Sequence, residues 1–259
     1  MTDTRSARLR VPQASERLIV ALDVATADAA MRMIDRLGDS VSFYKIGLHL
    51  QLAAELHALI GTLRRAQKQI FLDFKYIDIP ATVAGAAGMA ARLGVRFITV
   101  VAQRSIVKAA VDARGDSDLK ILAVTLLTAM SEEDMRQEYQ TRLTLPQFVK
   151  HRALVVQSEK GDGVISSPNE VALIRSTIAA EGFLIVTPGI RPAGVAADDQ
   201  KRTATAYEAI SRGADYLVVG RPVIRDPEPR DAARRIVDEI AMALEDRERT
   251  AGSAPAGTA

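Results

Sequence analysis

The chain has no cysteine and no tryptophan, only three histidines, and aromatic residues make up 4% of its 259 positions. Without cysteine there is no disulfide, no thiolate nucleophile and no Cys-ligated zinc or iron–sulfur centre, and a reducing compartment fits. Few rings and a formal net charge of +2 leave neither a base-stacking surface nor a basic field for nucleic acid. No apolar run reaches the roughly 18 residues of a membrane span. The first sixteen residues carry Arg5, Arg8 and Arg10 with no long apolar stretch behind them, so they do not read as a secretory signal. His49, His57 and His151 lack metal-ligand spacing and are read as surface or packing residues. Walker, Gly-x-Gly-x-x-Gly and Gly-x-Ser-x-Gly patterns are missing too. What is present is an ordinary globular composition, 48% hydrophobic and 25% charged, for which a cytoplasmic enzyme is the default expectation.

Residues 1–16 and 248–259 read as polar tails around a single folded unit at 17–247. Within that unit, short β-branched runs alternate with longer amphipathic segments. Strands are expected at Leu18–Leu22, Val41–Ile46, Ile70–Phe74, Val95–Val100, Lys120–Leu126, Gly163–Ser166, Phe183–Val186 and Tyr216–Val219. Helices are expected between them, at Ala27–Leu37, Gln51–Ala66, Ala81–Leu93, Ser105–Ala113, Ser131–Tyr139, Pro168–Ala180 and Thr203–Arg212, with a last one at Arg230–Arg247. Pro168 suits a first helical turn, and Gly38, Gly94, Gly182 and Gly213 suit helix ends. Thr141–Asp162 has no clear pattern, and its run Ala153-Leu154-Val155-Val156 fits either helix or strand. Eight strands each followed by a helix is the count of an α/β fold of the (β/α)8 TIM-barrel type; an open doubly wound sheet has the same periodicity.

Asp23, Lys45, Asp73, Lys75, Thr125, Thr128, Ser166, Ser167, Thr187 and Gly220-Arg221 all fall at the expected carboxyl ends of strands, where barrels of this type place their active sites. Asp73, Lys75 and Asp78 put three charges within six residues. Side chains two apart on a strand share a face, so Asp73 and Lys75 project together. With Lys45 and Asp78 they form an alternating array of two ammonium and two carboxylate groups. The structural alternative is a set of ion pairs closing the rim. As chemistry, a carboxylate such as Asp73 repels a substrate carboxylate by roughly 4 kcal/mol at about 4 Å and an effective dielectric near 20. Lys75 can deliver a proton where negative charge develops. Together they suit a decarboxylation that uses neither metal nor imine.

A second signal follows strands 7 and 8. Thr187-Pro188-Gly189-Ile190-Arg191 opens a loop that closes with Gln200-Lys201-Arg202, and Gly220-Arg221 follows the eighth strand. Backbone N–H groups beside guanidinium groups make an anion site, and barrels often hold phosphate there. The loop, about a dozen residues, is long enough to act as a lid. For Arg191 a plain surface residue is the alternative; for Asp23 and Thr128 it is a helix cap.

Leu72-Asp73-Phe74-Lys75-Tyr76-Ile77-Asp78-Ile79-Pro80-Ala81-Thr82 closely resembles the Asp-x-Lys-x-x-Asp-Ile-Pro-x-Thr signature of the orotidine 5′-monophosphate decarboxylase family. Ala21-Leu22-Asp23, Tyr44-Lys45-Ile46-Gly47-Leu48, Leu126-Leu127-Thr128, Thr187–Arg191 with Asp198–Arg202, and Val219-Gly220-Arg221-Pro222 extend the likeness over about Leu18–Ile240. The resemblance implies a cofactor-free homodimer of barrels with active sites shared across the interface. In it Lys75 protonates C6, Asp73 crowds the substrate carboxylate, and Lys45 and Asp23 hold ribose hydroxyls. Asp78 and Thr82 come from the second subunit. Thr128 contacts the pyrimidine, while Gln200, Arg221 and Gly220 hold the phosphate, with Pro188 and Arg191 on the same loop.

Two segments depart from the family pattern. After strand 4 a His-Ala-x-Gly-Gly-like turn is replaced by Val101-Ala102-Gln103-Arg104-Ser105, and Gln157–Asp162 replaces a more apolar helix end. Mg²⁺-dependent sugar-phosphate decarboxylases and hexulose-phosphate synthases carry a similar Asp-x-Lys-x-x-Asp and would use Asp73 as a metal ligand. A non-catalytic phospho-ligand barrel is the reading from another class.

Overall fold

Short runs of β-branched and aromatic residues fold here as strands buried on both faces, the expected pattern for a parallel sheet covered by helices. The computed structural model describes residues 13–192 and 202–252. Eight parallel strands close in sequence order: β1 (Leu18–Ala21), β2 (Phe43–Ile46), β3 (Gln69–Tyr76), β4 (Phe97–Val101), β5 (Lys120–Val124), β6 (Gly163–Ile165), β7 (Leu184–Thr187) and β8 (Tyr216–Val219). β8 pairs back onto β1, so this is the (β/α)8 barrel and not the open sheet. The helices are α1 (Ala27–Leu37), α2 (Leu48–Gln51), α3 (Leu56–Arg65), α4 (Pro80–Arg92), α5 (Arg104–Arg114), α6 (Glu132–Glu138), α7 (Leu145–Ser158), α8 (Val171–Thr177), α9 (Ala206–Ser211), α10 (Arg221–Ile224) and α11 (Pro229–Gly252).

Several boundaries differ from the sequence pattern. The expected Gln51–Ala66 helix is two, α2 and α3. The unclear stretch holds α7, which contains Ala153–Val156; a capping box of Thr144 and Gln147 starts it. Pro168 opens a turn and α8 begins only at Val171, so Gly182 lies beyond the helix end at Thr177. Gly38, Gly94 and Gly213 do sit at helix ends with φ of 53°, 64° and 111°. Helical structure runs a few residues past each expected tail boundary. Ala14–Arg17 forms a 3₁₀ turn whose buried Arg17 donates to the Asp215 carbonyl at 3.0 Å. At the other end α11 continues past residue 247 to Gly252, with Arg249 paired to Glu245 and Asp246 one turn back.

Alternation along the strands makes two cores. Outward residues such as Leu18, Val20, Tyr44, Ile46 and Ile70 pack under the helices. Inward residues Ile19, Ala21, Phe43, Phe71, Phe97, Leu122, Val186, Tyr216 and Val218 fill the barrel. Four aromatics cluster here: Phe97 lies 5.0 Å from Phe43, 5.2 Å from Tyr216 and 5.8 Å from Phe71, ring centroid to centroid. They make a solid floor below the site. At Gly163, a Cβ would stand 2.2 Å from the Leu184 carbonyl oxygen, so only glycine lets β6 approach β7.

Candidate active site

One inward step beyond the aromatic floor the side chains change character. Phe43 is followed on the same face by Lys45, Phe71 by Asp73, and Phe97 by Thr99. Lys45 Nζ stands 3.0 Å from Asp23 Oδ1 and 3.5 Å from Asp73 Oδ2, and Lys75 Nζ stands 2.9 Å from Asp73 Oδ1. Charges of alternating sign thus run Asp23, Lys45, Asp73, Lys75. The Asp73 and Lys45 side chains are only 15% and 10% exposed. Burial pushes the Asp73 carboxyl pKa up, but the two ammonium groups and the hydrogen bonds from Lys75 and Thr99 outweigh it, holding the group below the ordinary carboxylate value. Gly47 leaves room for this: a Cβ there would fall 2.9 Å from Lys45 Nζ.

Asp73 and Lys75 do project together, though not through simple alternation. Between Leu72 and Tyr76 the register of β3 shifts, with four residues spanning two on β4. Lys75 takes a positive φ of 51°, a conformation uncommon outside glycine and worth attention in a site. Thr99 holds it. Its Oγ1 accepts the Lys75 N–H at 2.9 Å and donates to Asp73 Oδ1 at 2.9 Å. Sequence reasoning missed Thr99, although its position two residues after inward-facing Phe97 was available as a signal.

Asp23, Lys45, Asp73, Lys75, Thr128, Pro188, Arg191, Gly220 and Arg221 line one cavity of about 460 Å³, a size suited to a nucleotide-sized ligand. His49, exposed as expected, and Arg225 line it too. Phe71, Val124, Leu126, Ile165, Val218 and Ile224 give the cavity apolar walls. Asp78 and Thr82 are not in it. Both are exposed, and Asp78 Oδ1 accepts the Ile79 N–H at 2.6 Å. Within one chain the fourth member of the array is therefore Asp23, not Asp78. Ile77 and Ile79, flanking Asp78, are 70% and 67% exposed. Gln200 lies outside the described residues.

Other rim residues do not line the cavity. Thr125, Ser166, Ser167 and Thr187 are buried away from the cavity lining, and the Thr125 hydroxyl donates to the Ile165 carbonyl. Arg202, grouped by sequence with the anion site, instead pairs with Glu170 at 2.9 Å. The two segments that depart from the family pattern meet each other: Arg104 pairs with Glu159 and reaches Ser158 Oγ at 3.2 Å. That contact lies away from the charged array, so the unusual turn after β4 leaves the array intact.

Comparison with known proteins agrees with this geometry. Residues 16–236 match the family model described as "Orotidine 5'-phosphate decarboxylase / HUMPS family". Orotidine 5'-phosphate decarboxylase of Bradyrhizobium diazoefficiens is 49% identical over 229 residues, covering 88% of this chain and 95% of that protein. The Caulobacter vibrioides protein of the same name is 46% identical, covering 88% and 98%. The crystal structure of orotidine 5'-phosphate decarboxylase from Lactobacillus acidophilus superposes with a TM-score of 0.76 at 35% identity, covering 87% of this chain and 99% of that one.

Proposed function

This chain belongs to the orotidine 5'-phosphate decarboxylase / HUMPS family, and from that membership we propose that it converts orotidine 5′-monophosphate to uridine 5′-monophosphate and CO₂ in pyrimidine biosynthesis, without metal or cofactor. The observation that carries this reading is Asp73 held as a carboxylate between Lys45 and Lys75 beside the cavity. A substrate carboxylate placed near Asp73 meets like charge in a water-poor site. Loss of CO₂ removes that repulsion and leaves an electron pair on C6. Lys75 then transfers a proton from Nζ to C6, which completes the product. The preformed array favours the transition state over the bound substrate, because its charges match those that develop during reaction. The second ammonium group against Asp73, from Lys45, also disfavours the divalent cation that the sugar-phosphate relatives would place there.

Asp23 and Lys45 would hold the ribose hydroxyls, and Thr128 the pyrimidine. Arg191, Pro188, Gln200, Gly220 and Arg221 would hold the phosphate at the far end of the cavity. Asp78 and Thr82 would serve the site of a second copy in a homodimer. In support, both are exposed beside uncovered Ile77 and Ile79, a surface that association would bury. No helix among the described residues is long and apolar enough to cross a membrane, and a cytoplasmic location is part of the proposal.

Loss of orotidine 5′-monophosphate absorbance in excess EDTA tests reaction, substrate and metal independence together. Rapid conversion is expected; activity restored only by Mg²⁺ would move the chain to the sugar-phosphate branch. For the shared site, inactive Lys75→Ala and Asp78→Asn dimers are mixed and allowed to exchange. Each heterodimer would regain one intact site, and no recovered activity would refute the sharing.

A further inference from the structure

Arg202 and Glu170 form a buried ion pair that none of the roles above uses. Arg202 Nη1 stands 2.9 Å from Glu170 Oε1, with side chains only 11% and 7% exposed. Arg202 Nη2 donates to the Leu127 carbonyl at 2.9 Å, and Nε points to the Thr128 carbonyl at 3.5 Å. Leu127 and Thr128 line the cavity on the side proposed for the base. Two residues beyond Arg202, Ala204 bridges to Ile190. There the Arg191 N–H donates to the Ala204 carbonyl at 2.9 Å, and the Ala204 N–H donates to the Gly189 carbonyl at 3.3 Å. Gly189 and Arg191 line the cavity on the side proposed for the phosphate. One side chain and one short bridge therefore tie two segments of the cavity lining to each other.

A buried pair of this kind is weak evidence for stability, because desolvation offsets much of the attraction. The pair is a charge contact, with Nη1 making no hydrogen bond among the described residues, but the same planar guanidinium also reaches two carbonyls, which a lysine cannot do at once. We propose that Arg202, held by Glu170, is a positioning residue that couples the base-side wall at Leu127–Thr128 to the phosphate-side wall at Gly189–Arg191. Filling one half of the cavity then tightens the other. The proposal rests on the nucleotide reading of this cavity.

The test is uridine binding to the purified full-length protein, with and without saturating inorganic phosphate, for the native chain, Arg202→Lys and Glu170→Gln. In the native protein phosphate tightens uridine by about fivefold or more, and uridine tightens phosphate by the same factor. In both variants that factor falls towards one while each ligand alone keeps near-native affinity. A merely structural pair would lower the melting temperature and leave the factor unchanged in the folded protein. Glu170→Gln preserves shape and carries the test if Arg202→Lys does not fold. Unchanged coupling in the variants, or none in the native protein, overturns the proposal while leaving the decarboxylase reading standing. Failure of the native protein to bind uridine 5′-monophosphate would bring down both.

Discussion

The two ends of the barrel handle buried charge in opposite ways. At the amino-terminal end Asp162 precedes β6 and Asp215 precedes β8, and both are tied to backbone. Asp162 accepts the Ile121 N–H at 2.8 Å and pairs with Arg114 and with Lys120 at 3.2 Å. Asp215 accepts the Ile185 N–H at 2.7 Å and pairs with Arg175 at 2.6 Å. Each carboxylate thus fastens a helix arginine to the start of a neighbouring strand. At the carboxyl end Asp23, Lys45, Asp73 and Lys75 bond chiefly to one another and face a cavity. Charges satisfied by backbone hold the fold. Charges satisfied chiefly by each other can be re-partnered by a ligand.

Replacing one member at each end separates these roles. Lys75→Ala should lower turnover by about 10⁴-fold or more, the upper range for a positioned general acid, with uridine 5′-monophosphate affinity and melting temperature near native. Equal loss of binding would place Lys75 with the structural charges. Asp162→Ala should do the reverse, costing about 3 kcal/mol in denaturant unfolding with turnover per folded molecule unchanged. A slow but stable Asp162→Ala protein would break the comparison.

Thr99→Val tests a point where the array is tied to backbone. It strips the Lys75 N–H of its acceptor, costing about 1–3 kcal/mol, and loosens the left-handed turn, slowing turnover by about 10-fold to 10²-fold. Full activity in a destabilised Thr99→Val protein would show that the turn is held by the bulge alone.

The smallest effect is on acid stability. Because the folded pKa of Asp73 is depressed, its contribution is fully present above the unfolded carboxylate value of about 3.9 and is lost as pH falls through the lower folded value. Asp73→Asn should therefore flatten the stability profile below about pH 4. An unchanged profile would mean that other carboxylates govern the acid limb.

Much of this was legible in the chain. Period-two alternation and eight β-branched runs named the strands, and the charges at their ends marked the rim. The array itself was read with Asp78 in it; within one chain Asp23 stands beside Lys45, because β1 pairs β2, bringing Ala21 opposite Lys45. Thr99 went unread, since a threonine is not distinctive until closure turns its strand end inward. Arg202 was counted towards an anion site because a positive charge in a loop has no visible partner in one dimension.

The sequence alone determined which segments are strands, which faces are apolar, and that unusual charges gather at one end, because local periodicity and composition fix these. Only the tertiary structure decided which charge meets which. Pair distances of about 3 Å depend on barrel closure, on the β3 bulge and on the left-handed turn at Lys75, and these join residues far apart in the chain through contacts that no local pattern records.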